Sequence, residues 1–154
     1  MDQTDRIFMA MEADRPQGAP VIGCLYTGSS LPPYCVRMPR RPEPATGMAL
    51  DARFASVLEE ALALNPAIHD GAILIGRPGA GDPYRIVGWS YRLIPPPGPV
   101  EAEPNRGSAF NSCLAMSSVE TIDRVYLLST DGAFSFKHGR VSRLNPSTVV
   151  EWAS

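Results

Sequence analysis

Two short stretches of the chain carry residue types and spacings suited to chemistry. The first is His69-Asp70-Gly71-Ala72, an acid at the mouth of an apolar run. A carboxylate placed there can hold a divalent metal or take a proton from a hydroxyl. The glycine behind it admits a ligand or a second backbone at close range. The same residues also make an ordinary polar turn. The second stretch is Asn105-Arg106-Gly107-Ser108, which leads into a helical pattern. Free N–H groups at a helix start favour an anion. Arg106 adds charge there, and Ser108 and Asn111 add hydrogen bonds. A capped helix with an exposed arginine is the alternative, with Ser108 as N-cap. Asp131-Gly132-Ala133 repeats the letters of the first stretch, but it stands between two apolar runs at hairpin spacing and reads as a turn.

Other reactive residue types are weaker. His138 lies in a turn, and His69 reads as a surface residue before a strand. Trp89 and Tyr91 alternate with Val87 and Leu93 along one strand, where core packing is the expected fate and stacking on a base the alternative. Ser112, Cys113 and Ser117 lack the neighbours of a nucleophile. There is no Gly-x-Ser-x-Gly elbow and no Walker-type loop. Cys24 and Cys35 fit no common zinc spacing, and with two histidines in the chain a metal site has few ligands to draw on. An odd count of three cysteines points to reduced thiols and a cytoplasmic location.

These stretches are positioned by elements legible from pattern. Residues 1 to 48 are rich in Pro and Gly, with Pro16, Pro20, Pro32, Pro33, Pro39, Pro42 and Pro44 among them. Residues 21–26 and 34–38 read as short strands there, bracketed by prolines and therefore suited to sheet edges. Pro39-Arg40-Arg41-Pro42-Glu43-Pro44 reads as a linker. Phe54, Val57, Leu58, Ala61 and Leu62 form one apolar helix face, with Asp51 or Thr46 as cap and Asn65-Pro66 as stop. Gly71-Ala72-Ile73-Leu74-Ile75-Gly76 reads as a strand buried on both faces. Residues 84–94 form a second, antiparallel strand, ended by Pro95-Pro96-Pro97-Gly98-Pro99. Phe110, Cys113 and Leu114 share a helix face. Residues 125–128 and 133–136 form a hairpin about Thr130-Asp131-Gly132, and residues 141–144 come after a His138-Gly139 turn. The chain thus reads as an N-terminal extension (1–48) and a body (49–154) in one globular unit. The class is α+β, with a central mixed, largely antiparallel sheet flanked by helices.

Composition narrows the partners. The chain has 154 residues, with 14 Lys+Arg against 16 Asp+Glu and a net charge of −2. Neither duplex nucleic acid nor an anionic membrane is the expected partner of such a charge balance. No window approaches the ~20 apolar residues of a membrane span. Residues 1–15 are polar and acidic without an apolar core, which is not the pattern of a secretory signal.

In order, residues 50 to 144 resemble the diadenylate cyclase domain family. A helix leads into Asp70-Gly71-Ala72-Ile73-Leu74-Ile75. Then come Arg85-Ile86-Val87-Gly88-Trp89 and Leu93-Ile94-Pro95, the run Gly107-Ser108-Ala109-Phe110-Asn111, and finally Arg124-Val125-Tyr126-Leu127-Leu128-Ser129-Thr130-Asp131-Gly132. Active members of the family join two ATP molecules into cyclic di-AMP across a head-to-head dimer. Their Asp-Gly-Ala aspartate serves the metal-assisted attack, and an Arg-His-Arg triplet grips phosphates. The resemblance implies that Asp70, Gly71 and Ala72 line one side of a nucleotide pocket. It puts Arg106, Gly107, Ser108 and Asn111 on the phosphate side. Asp70 would be the catalytic and metal-holding residue of an active enzyme. Here the triplet reads Ala109-Phe110-Asn111, and the family's acidic turn reads Ser129-Thr130-Asp131. The expectation is therefore a sensor-type domain that binds an adenine nucleotide or a cyclic dinucleotide, with cyclase activity lost. An active diadenylate cyclase and a non-binding interaction scaffold are the alternatives. Mg²⁺ or Mn²⁺ accompanies a bound triphosphate and is otherwise not needed. A homodimer or an effector protein is the implied macromolecular partner.

Overall fold

The computed structural model describes residues 1–13, 20–98 and 101–144. Pro16 and Pro99, read above as punctuation, lie outside them. The elements in chain order are α1 (Gln3–Ala13), β1 (Val21–Thr27), β2 (Cys35–Arg37) and α2 (Phe54–Leu64). They continue as a 3₁₀ turn (Pro66–His69), β3 (Ala72–Arg77), β4 (Arg85–Leu93) and α3 (Ser108–Met116). β5 (Ile122–Ser129), β6 (Gly132–Lys137) and β7 (Arg140–Leu144) complete the described chain.

The strands form a seven-stranded sheet in the order β2-β4-β3-β1-β5-β6-β7. β1 and β3 pair in parallel, and the other neighbours are antiparallel. The expected mixed, largely antiparallel α+β sheet is the observed one. Helices cover both faces. α1 and α2 bury Phe8, Met11, Phe54, Leu58 and Ala61 against Ile73, Ile75, Trp89 and Tyr126. On the other face α3 buries Phe110, Cys113, Leu114 and Met116 against Leu74, Val125, Leu127, Phe134 and Phe136. Successive residues of β5 therefore feed opposite cores, as strand geometry requires.

The N-terminal segment differs most from its sequence reading. β1, expected at an edge, is hydrogen-bonded on one side to β3 and on the other to β5. Its flanking proline, Pro20, lies outside the strand, so no ladder donor is missing within Val21–Thr27. β2 does occupy an edge. The start of the chain, read above as polar and acidic, folds as α1 around the apolar run Ile7-Phe8-Met9-Ala10-Met11. Asp2 caps it by accepting from Asp5 N at 2.9 Å. Phe8 is fully buried and stacks on Tyr126, ring centroids 4.1 Å apart. Asp5 accepts from the Tyr126 hydroxyl at 2.6 Å and from Arg124 Nη1 at 2.7 Å. Such buried, charge-assisted bonds fix the helix against β5. α1 and β1 lie before residue 48, yet they share one sheet and one core with residues 49–144.

The expected linker at 39–44 forms neither helix nor strand. It is nevertheless tied down, because Asn65 Nδ2 donates to Pro42 O at 3.0 Å and Trp89 Nε1 to Ala45 O at 2.9 Å. α2 begins with Arg53 at the cap position and no side-chain cap, while Asp51 accepts from Arg53 N at 2.9 Å. Neither expected cap, Asp51 or Thr46, fills that role. Asn65 does end α2, and the 125–144 hairpins form as expected, with Gly132 and Gly139 at positive φ.

Phe8→Ala is expected to lower the stability of the chain by about 3–5 kcal/mol, because it empties a stacked aromatic site in the main core. Urea unfolding monitored by circular dichroism measures it. A loss near zero would detach α1 from the core.

Candidate functional site

The pairing of β3 with β4 sets the site. Ala72 faces Tyr91, and Leu74 faces Gly88. β4 therefore carries one more residue than β3 over this span, a β-bulge. Ser90 sits in it at φ 58°, fully buried. Its Oγ donates to Ile68 O at 3.3 Å, and its carbonyl accepts from Met38 N at 2.9 Å. The extra residue breaks the alternation read from the sequence. Trp89 enters the core under α1 and α2, whereas Tyr91 and Leu93 enter the one under α3. Trp89 is thus a packing residue.

Gly71 lies directly against the bulge. Its φ is +93°, and a Cβ placed on it would stand 2.9 Å from the Ser90 carbonyl carbon and 2.6 Å from Met38 Cε. Glycine is required here by both backbone conformation and space. The close approach anticipated for this glycine is that of another backbone. It aims Asp70 outward and holds Ala72 fully buried.

A cavity of about 220 Å³ opens beside this contact. Asp70, Gly71 and Ala72 form one wall, Tyr91, Arg92 and Leu93 a second, and Ser108, Ala109 and Ser112 of α3 a third, with Met38 at the edge. The cavity brings the Asp-Gly-Ala stretch and the start of α3 together. Asp70 is exposed, and its Oδ2 lies 3.6 Å from Arg40 Nη2. Arg40 is largely buried, and its Nε has no hydrogen-bond partner.

Other residues singled out from the sequence lie outside this lining. Gly107, not Ser108, is the N-cap of α3, at φ −74° and ψ 173°, and no side chain caps the helix. Ser108 is already the first helical residue, so its hydroxyl is left to face the cavity. Gly107 is open to solvent, with nothing near a Cβ placed on it. Asn111 is engaged by the preceding loop, accepting from Glu103 N at 2.7 Å and donating to Arg106 O at 3.4 Å. The Arg106 guanidinium lies 4.6 Å from the Phe110 ring centroid and 5.5 Å from that of Phe134. This is cation–π geometry. Sequence reasoning missed two arginines, Arg92 in the cavity wall and Arg40 beside Asp70. Arg40 sits in a run that reads as a linker, and Arg92 is an unremarkable exposed strand position. Ser112, considered only as a nucleophile, is a lining residue.

The donor set does not suit a resident metal ion. Among the described residues no group of three or more His, Cys, Asp and Glu side chains converges. The one carboxylate at the cavity already faces a guanidinium. The three cysteines are free, and burial pushes the Cys113 thiol far up, leaving it inert. A wider cleft of about 770 Å³ lies elsewhere, beside Arg77, Tyr84 and Asp123, but those groups satisfy one another. Asp123 Oδ2 accepts from Tyr84 at 2.6 Å and from Thr27 at 2.5 Å, and Arg77 Nε donates to Thr27 Oγ1 at 2.9 Å.

Gly71→Ala is expected to cost at least about 1–3 kcal/mol from the forced positive φ alone. The thermal midpoint should fall accordingly, and more than for Gly107→Ala, which meets no neighbour. Equal midpoints for the two variants would contradict the Gly71–Ser90 contact.

No protein-family model matches the chain, and neither does any curated protein sequence. Solved structures do match. A hypothetical membrane spanning protein from Bacillus cereus is 14% identical at a TM-score of 0.63, over 93% of this chain and 62% of its own length. DacA from Staphylococcus aureus, in a double-mutant form, is 14% identical at a TM-score of 0.57, over 98% of this chain and 89% of that one. This chain therefore spans less than two thirds of the Bacillus cereus protein. At this level of identity the likeness concerns the fold, and it is a fold shared with a diadenylate cyclase.

Proposed function

We propose that the chain is a sensor-type domain that binds an adenine nucleotide or a cyclic dinucleotide and does not synthesise one. The observation that carries this reading is the cavity that joins Asp70-Gly71-Ala72 to Ser108 at the start of α3, in a fold shared with a diadenylate cyclase. Apolar and polar groups meet in its lining. Tyr91 and Leu93 offer an apolar wall, while Ser108, Ser112 and Asp70 offer hydrogen-bonding groups.

The loss of synthesis is supported by the residues in place of the family's phosphate grip. Phe110 points into the core, edge-on to Phe134 and Phe136 at 5.4 and 5.0 Å. Asn111 is held by the loop before the helix. Ala109 has only a methyl group to offer. A charge-assisted bond to phosphate contributes about 1.5–3 kcal/mol. Two missing arginines therefore remove several powers of ten of transition-state stabilisation on the same scale.

Calorimetric titration with ATP and with cyclic di-AMP in Mg²⁺, with product assayed in the same mixtures, tests the proposal. Binding without turnover is expected, and Ser112→Trp, which fills the cavity from α3, is expected to abolish it. Cyclic di-AMP formation that disappears in Asp70→Asn would replace this reading with an active cyclase. Absence of binding to either nucleotide would leave an interaction scaffold.

A further inference from the structure

The cavity has positive charge near it that does not come from α3. Arg92 lines it, with its Nη2 4.0 Å from Met38 Sδ. Among the described residues no carboxylate stands within ion-pair distance of Arg92. Arg40 is not itself in the cavity wall, but it reaches Asp70 of that wall through a loose contact of 3.6 Å. Its Nη1 makes only a long bond, 3.4 Å, to Pro39 O, and its Nε is buried with no acceptor at all. A buried donor without a partner is unusual and costly, which marks it as a group awaiting an acceptor. Arg106, by contrast, spends its charge on two aromatic faces.

We infer that Arg40 and Arg92 hold the anionic group of the ligand, in place of both a divalent cation and the start of α3. The inference rests on the nucleotide-binding reading above and specifies how that site recognises charge. Arg40 faces the Asp70 carboxylate, so that charge is offset by the chain itself. Asp70, Arg40 and Arg92 together leave one net positive charge. That suits a phosphodiester, which carries a single negative charge, such as each phosphate of a cyclic dinucleotide. It does not suit a triphosphate, whose several charges need a metal that Asp70 is not free to hold. Guanidinium groups present the paired donors that such an oxyanion accepts.

The test is titration of the full chain with cyclic di-AMP and with ATP, each in Mg²⁺ and in EDTA. The affinity for cyclic di-AMP is expected to be equal in the two buffers and to exceed that for ATP. It should fall about tenfold or more in Arg40→Gln and in Arg92→Gln, the size of one charge-assisted hydrogen bond. Arg106→Gln should leave it unchanged. Arg40→Lys retains the ion pair with Asp70 but lacks the buried Nε–H, so it should still weaken binding while keeping the wild-type thermal midpoint. Binding that requires Mg²⁺, or that depends on Arg106 and not on Arg40 and Arg92, would overturn the inference and leave the nucleotide-binding reading standing. Failure of the wild-type chain to bind either nucleotide would overturn both.

Discussion

One backbone contact organises the wall of the cavity between β3, β4 and α3. Gly71 and Ser90 meet where two neighbouring strands differ by one residue, and both take a positive φ to do so. Neither conformation is favourable alone, and Ser90 in particular is not a glycine. The surrounding sheet over-determines them: Ile68 takes the Ser90 hydroxyl, Met38 binds its carbonyl, and Ala72 and Tyr91 resume the pairing beyond. What the bulge achieves is a change of side. Trp89 stays in the core under α1 and α2, while Tyr91 turns to the α3 side and becomes a wall of the cavity. Without the extra residue both rings would share one face, as period two demands.

That contact could not sit in a loosely held sheet. β1, at the centre, joins β3 to β5 with a ladder on each side. α1 braces β5 from one face through Phe8 on Tyr126 and through the Asp5 carboxylate. α3 braces the other face through Phe110 between Phe134 and Phe136. Phe110, in the first turn of α3, thus serves as a core residue. Positive charge near the cavity comes from Arg92 in its wall and from Arg40 beside Asp70.

The legibility of the chain tracked the strength of local pattern. α2 was readable because five apolar residues recur on one helical face and Asn65-Pro66 stops it. β3 was readable because an apolar run of strand length must be covered on both sides. The later hairpins announced themselves through Asp131-Gly132 and His138-Gly139. α1 was not read because its apolar run, Ile7-Phe8-Met9-Ala10-Met11, is short and flanked by charged residues, and its packing partners lie far along the chain. The central place of β1 was obscured by prolines that border the strand without entering it. The bulge was missed because Ser90 itself carries none of the turn signals of glycine or asparagine, although Gly88 within the strand pattern marks the irregularity. Within the site, the Asp-Gly-Ala wall and Ser108 were legible from type and order. Arg40 and Arg92 were not, because only tertiary folding brings the 39–44 segment and the end of β4 beside Asp70.

Function here turns on whether the cavity between the Asp-Gly-Ala wall and the first turns of α3 is a nucleotide site. Hydrogen–deuterium exchange of the chain with and without cyclic di-AMP addresses it directly, because it locates the ligand without altering a residue. A nucleotide held there requires slower exchange at residues 70–72, 91–93 and 108–112, with the Arg77–Asp123 cleft unaffected. Protection confined to that cleft, or protection nowhere, would contradict it.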